Sequence, residues 1–347
     1  MSRAGQPKQL IPFIGGKSLL QLAAERLEGL IGWPRIFVCA ADQHRQGILR
    51  ALPRLGEAQY IAEPMGRDTL NAVGLSAAVI ARRDPDAVIG VFTADHLIEP
   101  VDRFQKIVTQ GLALVEARPE TLVTFGIRPS APATGYGYLE LGEPLDETAR
   151  LVSQFREKPE AATAVRFFTA GPSRYLWNSG MFVWRASTLT DCIRRYEPEA
   201  HAGLSAIAAA WDTSERQAVL ERTYPELKKI SVDFAVMEPA SRDPKVRVAA
   251  IAMDLHWLDV GSWPMFAKTC PQDETGNAVA AGKTLLVNSA RTLVASSDPE
   301  HLVVAAGCED LIIIHTPDAT LVCRADDAEG IKEIHKKVGE RFGSEWL

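Results

Sequence analysis

The amino-acid sequence predicts an α/β protein with a mostly parallel sheet covered by helices, followed by a small β-rich module. Two patterns carry this expectation. Through the first two-thirds of the chain, short β-rich runs alternate with helical stretches, whereas beyond Gly276 apolar runs follow one another without helices between them. Composition fixes the scale: 347 residues, 46% hydrophobic and 24% charged, suffice for a large core split into one large and one small domain.

The first strand is Arg35-Ile36-Phe37-Val38-Cys39-Ala40, Asp42 is placed to cap the helix after it, and Gln59-Tyr60-Ile61 resumes a strand. A small-residue helix from Thr69 to about Arg83 leads to the strand Ala87 to Phe92. The helix Val101 to Ala117 and the strand Leu122 to Gly126 repeat the rhythm. Such alternation implies parallel strands with helices on both faces, and it places ligands at the carboxyl ends of the strands. Glu63 to Thr69 and Asp95-His96 each follow a strand, so both groups belong at that edge. A strand from Leu151 to Phe155 delivers Glu157-Lys158-Pro159, where the proline would start the next helix. In Tyr175 to Phe182, polar Asn178 and Ser179 interrupt a run that otherwise reads as buried strand, so either a ligand or a turn needs their hydrogen-bonding groups. The late runs are Leu285-Leu286-Val287, Leu293-Val294, Leu302-Val303-Val304, Leu311 to Ile314 and Leu321-Val322-Cys323. They suggest a fragment of β-helix closed by a helix near Asp327 to Arg341. The boundary near residue 272 gives domains 1–272 and 273–347.

Several function classes fall away. No apolar run of about 18 residues appears, and Met1 to Lys8 lacks the apolar core of a secretion signal, so the expected location is cytoplasmic with no membrane partner. Cys39, Cys192, Cys270, Cys308 and Cys323 are scattered and never form CxxC, which reads as reduced packing residues. A formal charge of −6 disfavours a nucleic-acid surface but leaves room for a local cationic pocket. The absence of GxSxG, HExxH and GxxxxGK[ST] argues against serine hydrolase, metallopeptidase and Walker-type chemistry.

Asp95 and Asp259, the latter in Trp257-Leu258-Asp259-Val260-Gly261-Ser262-Trp263, suit magnesium, which takes oxygen ligands and completes its shell with phosphates. Either is equally a loop or capping aspartate. Lys158 sits where an ammonium would neutralise a phosphate, or forms a solvated pair with Glu157. Lys8 has the same two readings. Thr134-Gly135-Tyr136-Gly137-Tyr138 is a loop whose glycines let backbone approach a ligand, or a tight turn.

Taken in order, Pro7-Lys8-Gln9, Glu63-Pro64-Met65-Gly66-Arg67-Asp68-Thr69, Ala94-Asp95-His96, the Thr134 to Tyr138 loop, Glu157-Lys158-Pro159, Trp177 to Phe182 and Asp259 to Trp263 resemble the sugar-nucleotide pyrophosphorylases. The likeness is greatest to their mannose-1-phosphate guanylyltransferase branch, and it covers nearly the whole chain. It implies a Rossmann-like mixed, mostly parallel sheet of the nucleotide-diphospho-sugar transferase type, with a short left-handed β-helix module. The implied reaction is transfer of GMP from GTP to mannose 1-phosphate, with Mg2+ as cofactor; a homodimer stays open as the assembly. By the same resemblance Lys8, Lys158 and Asp95 are catalytic, and Asp95 and Asp259 hold the metal. Arg3, Glu63, Arg67, Gly135, Tyr136, Glu157 and Asn178 bind substrate, with Glu63 and Arg67 near the nucleoside and Glu157, Asn178 and Gly135 at the sugar hydroxyls.

Three departures from the family pattern bear on these expectations. Of its N-terminal strand and GGxGTRLxPLSR loop only Ser2-Arg3 is met here, so in-frame codons upstream of Met1 are expected to encode the rest, and protein expressed from Met1 is expected to be inactive or poorly soluble. Asp68-Thr69-Leu70-Asn71 stands where the family has Asn-Thr-Ala-Pro, and Thr93 where it has proline. Another base or sugar, or a non-catalytic sugar-nucleotide-binding subunit, stay open as alternatives. The set Asp95, Asp259 and Lys158 argues against the second, since binding alone does not require it.

Overall fold

A computed structural model describes residues 7–11 and 16–343; Arg3 lies outside the described residues. Its strands are, in chain order, β1 Val38–Ala41, β2 Tyr60–Glu63, β3 Val88–Val91, β4 His96–Glu99, β5 Thr121–Ile127, β6 Tyr138–Pro144, β7 Ala149–Arg156 and β8 Tyr175–Arg185. After them come β9 Arg247–Met253, β10 His256–Asp259, β11 Ala278–Ala280, β12 Lys283–Val287, β13 Leu293–Ser296, β14 Leu302–Ala306, β15 Leu311–Thr316 and β16 Ala319–Arg324. The chain forms two compact units. The larger takes Arg26–Thr93 and Ile98–His256, and the smaller takes the described residues up to Glu25, Ala94–Leu97 and those from Trp257 onward.

In the larger unit β1 and β2 pair in parallel across the helix Arg45–Ala51. Asp42 does not cap that helix: a 3-10 turn, Asp42–His44, intervenes, and the Asp42 carboxylate accepts from Arg45 Nε at 2.8 Å. Strand β2 runs two residues beyond the expected Ile61, so Glu63 is its last residue rather than the first after it. The main sheet has the order β3-β8-β5-β9-β7-β6. Strands β3, β5, β9 and β6 run one way, and β8 and β7 run the other. The sheet is mixed, as expected. Its hydrogen-bonded neighbours are mainly antiparallel, because β8 inserts between β3 and β5, and β7, the return arm of a hairpin, inserts between β9 and β6.

The helix Val101–Ala117 has the bounds expected from its pattern, with Phe104, Ile107, Val108, Gly111, Leu114 and Val115 buried at spacings of three and four. Gly111 is required there, since a Cβ would lie 2.9 Å from the Phe125 ring. The helix Asp68–Arg83 buries Leu70 and Leu75 against the same core as Phe182, Trp184, Ile193 and Leu204, each such side chain contributing about 1.5–3 kcal/mol.

Strand β8 runs through its polar step with a shift of register. Thr124 faces Phe182 and Gly126 faces Asn178, so three residues of β8, Ser179 to Met181, oppose the single Phe125 of β5, and Gly180 takes the left-handed φ of 69° that this demands. Asn178-Ser179-Gly180 is therefore a bulge inside a strand, a device that re-aims side chains.

In the smaller unit β11, β13 and β15 form parallel ladders, β12 pairs in parallel with β14, and β16 returns antiparallel to β15. Successive strands thus alternate between two sheets, the coil of a β-helix, and the helix Ile331–Phe342 follows. Leu258, Val260, Trp263 and Phe266 pack into one cluster with Leu293, Ala295 and Ile312. Among the described residues, no helix is long and apolar enough to cross a membrane.

Candidate functional site

Two groups of side chains stand out, one in each unit. In the smaller unit the N–H of Val260 donates to the Asp95 carbonyl at 3.0 Å. Asp95, His96 and Asp259 each bring one ligand atom within 4.8 Å of the others. Lys8, on a 3-10 turn, places Nζ 3.0 Å from Asp95 Oδ2 and donates to the Val260 carbonyl at 2.9 Å. Burial and then the neighbouring Asp95 charge raise the Asp259 carboxyl above its ordinary range, and Lys8 opposes the shift. Two carboxylates this close together, with one ammonium against Asp95, are a donor set suited to a hard divalent cation. His96 is a poorer ligand than its position suggests. Its Nδ1 accepts from Trp257 Nε1 at 3.1 Å, which puts the proton of a neutral imidazole on Nε2.

The larger unit gathers the second group where β6, β7 and β8 meet. Glu157, one residue past β7, is buried, and Lys158 follows it in the left-handed region at φ 42° with Nζ 3.3 Å from Glu157 Oε1. The lysine side chain is 57% exposed, which leaves its ammonium accessible to an incoming anion. Burial, then the charge of Asp233, pushes the Glu157 carboxyl up to about 7, while Lys158 pulls the other way. Asn178, on the β8 bulge, accepts from Thr124 Oγ1 at 2.8 Å and donates through Nδ2 to Asp233 Oδ1 at 2.8 Å. Its own N–H donates to the Gly137 carbonyl at 2.8 Å. Tyr136 tilts against Trp177 with centroids 5.0 Å apart.

Of the two glycines in the Thr134 to Tyr138 loop, Gly135 lies in open space, and Gly137 is the one that close packing requires. A Cβ at Gly137 would overlap the Glu157 carboxylate and lie 3.4 Å from Asn178 Cβ. Pro159 does not open a helix, because Glu160 is the cap residue of Ala161–Ala170.

Glu63 and Arg67 are tied to a different segment. The Tyr224 hydroxyl donates to the buried Glu63 carboxylate, and Arg67 donates to the Pro225 carbonyl. Burial raises the Glu63 carboxyl against the effect of that hydroxyl. Asn71, fully buried, donates to the carbonyls of Arg67 and Lys228, so in the departing Asp68 to Asn71 stretch this side chain serves as an anchor. Thr69 Oγ1 accepts from the Val232 N–H at 3.0 Å. The segment from Tyr224 to Asp233 therefore runs from Glu63 to Asn178. Asp233 and Tyr224 were not singled out from the sequence, and Gly137 was met there only as one of the two loop glycines. Asp233 opens a π-helical turn, Asp233–Met237, and its only sequence signal is an acidic residue after Ser231-Val232 at the head of an apolar run.

Residues 3–276 match the family model described as nucleotidyl transferase, and residues 282–338 match a mannoseP isomerase/GMP-like beta-helix domain. A protein of Klebsiella pneumoniae named mannose-1-phosphate guanylyltransferase is 34% identical over 352 residues, covering 100% of this chain and 72% of its own. The xanthan biosynthesis protein XanB of Xanthomonas campestris pv. campestris is 33% identical, over 99% of this chain and 71% of its own. A solved structure from Thermus thermophilus, described as mannose-1-phosphate geranyltransferase, superposes with a TM-score of 0.84 at 28% identity. It covers 97% of this chain and 94% of its own.

Proposed function

This chain belongs to the nucleotidyl transferase family, and from that premise we propose that it transfers GMP from GTP to mannose 1-phosphate, giving GDP-mannose and pyrophosphate. One observation carries the transfer chemistry: Asp95 lies beside the desolvated Asp259, with Lys8 against Asp95. The choice of guanosine and mannose rests on the names of the relatives.

The sugar-phosphate oxygen attacks the nucleotide α-phosphorus in line, so the work of the protein is to align two polyanions and neutralise them. Asp95 and Asp259 would hold Mg2+, which when bound offsets phosphate charge and polarises the phosphoryl oxygens. Lys8 balances Asp95 and supplies positive charge toward the triphosphate. Lys158, exposed and in a strained backbone conformation beside Glu157, receives the sugar phosphate. Glu157, Asn178, Gly135 and Tyr136 line the sugar subsite, and Glu63 and Arg67, at the end of β2, serve the nucleoside. A cytoplasmic location belongs to the same reading, since the reaction consumes a nucleoside triphosphate. The exposed apolar face of β12 and β14 supports a homodimer.

The test is pyrophosphate release with GTP, ATP, UTP and dTTP, each with mannose 1-phosphate or glucose 1-phosphate, with Mg2+ or with chelator. The highest turnover is expected for GTP with mannose 1-phosphate and Mg2+, and Asp259→Asn should lower it by roughly 10²-fold with the fold retained. Undiminished turnover in chelator would remove the carboxylate pair from the chemistry, and preference for another pair of substrates would overturn the specificity.

A further inference from the structure

We propose that Asp233 is a positioning residue of the sugar subsite, holding the amide of Asn178 in the one orientation that presents an N–H to a sugar hydroxyl. The inference rests on the reading of Asn178 as a sugar contact.

An asparagine amide can flip by half a turn and exchange its donor and acceptor ends at little cost unless its partners tell them apart. Here one partner does so, the Asp233 carboxylate. At one end is the Thr124 hydroxyl, 2.8 Å from Oδ1 and 3.2 Å from the Met181 carbonyl. A hydroxyl both donates and accepts, so Thr124 holds this end of the amide in place without deciding which of its two atoms sits there. At the other end Asp233 Oδ1 lies 2.8 Å from Nδ2, and a carboxylate only accepts, so the nitrogen and not the oxygen of the amide must face it. With Nδ2 committed to Asp233 by one hydrogen, its second hydrogen has no partner among the described residues. Asn178 shares this corner with Glu157 and the Gly137 backbone.

The position of Asp233 is itself fixed by distant parts of the chain. It begins a π-helical turn, a geometry uncommon in proteins and frequent at functional sites. The residue before it donates its N–H to Thr69 Oγ1, so the turn is hung from the start of the Asp68–Arg83 helix. A carboxylate desolvated at this place costs stability, since burial holds its carboxyl above the ordinary range. Packing alone gives no reason for such a group, whereas control of the Asn178 amide does.

The test uses the full chain with Asp233→Ala, Asp233→Asn and Thr124→Val, and reads the Michaelis constant for each substrate, the calorimetric Kd for mannose 1-phosphate and the melting temperature. Asp233→Ala frees the amide and should raise the sugar 1-phosphate constant about tenfold or more, with the nucleotide constant within twofold. Asp233→Asn still offers an oxygen to Nδ2 and should recover most of that loss. Thr124→Val removes the other restraint at nearly constant volume and should shift the sugar constant in the same direction. If Asp233→Asn is as impaired as Asp233→Ala, the charge acts directly and the positioning role is overturned. Equal effects on both substrates, or none, also overturn it. Should Asp233→Ala fail to fold, Thr124→Val decides by the same split between substrates. Absence of wild-type turnover would sink the functional reading instead, and unchanged sugar phosphate binding in both Asp233→Ala and Thr124→Val would sink this one.

Discussion

Glu157 is buried against Asp233 and compensated only by the half-exposed Lys158, so its charge is held where it is least favourable. Burial lifts its carboxyl from the ordinary 4.5 to about 7 in the folded chain. A raised folded value means that the proton is held more tightly folded than unfolded. The resulting stability is complete below about pH 4.5 and disappears as the pH rises through 7. Glu157→Gln keeps the shape and removes the ionisation. The variant should therefore be more stable than wild type at pH 8.5 and nearly equal to it at pH 4.5, by on the order of 3 kcal/mol at most before the lost Lys158 pairing is subtracted. Thermal melts at the two pH values check this, and equal melting temperatures at pH 8.5 would show that Glu157 ionises there without penalty. The same variant should bind sugar 1-phosphate more weakly, so stability and function would move in opposite directions.

At the level of elements, the loop before β6 shows how a glycine's job is decided by its neighbours. Gly137→Ala should displace the Glu157 carboxylate and crowd Asn178, costing about 1–3 kcal/mol and most of the sugar-phosphate affinity. Gly135→Ala, with nothing within 4 Å, should leave the melting temperature unchanged. Melts and sugar-phosphate titrations of the two variants separate them, and equal behaviour would contradict the packing. Their contrast also marks what the sequence could tell. The Val101–Ala117 helix was legible because its apolar spacing is set within the helix. The family resemblance named Asp95 and Asp259 together, and their ligand atoms lie within 4.8 Å of one another. The insertion of β8 and β7 between like-directed strands was hidden, since neighbours in a sheet are chosen by long-range packing. Asp233 was hidden for the same reason: its role comes from a hydrogen bond to a residue 55 positions away.

At the scale of the whole molecule, the β-helix coil leaves one face unfinished. Leu285 and Val287 of β12 and Leu302 and Val304 of β14 alternate with inward residues and stand 52%, 42%, 57% and 55% exposed. The parallel register sets Leu285 beside Val304, so these side chains form one apolar surface rather than scattered contacts. A monomer would keep that surface in water at a cost of about 25 cal/mol for each Å² left uncovered, and a second copy meeting it about a twofold axis would bury the same residues twice. Light scattering behind a sizing column should then give twice the 37.9 kDa chain mass. Leu302→Glu with Val304→Glu should shift the mass to that of one chain, because two carboxylates on each copy would have to be desolvated against their counterparts. Both positions point away from the core, at alternate residues of β14, so the helical content of the variant should match that of the wild type. A wild-type mass equal to one chain, or a double variant that remains paired, would assign the surface to some other contact.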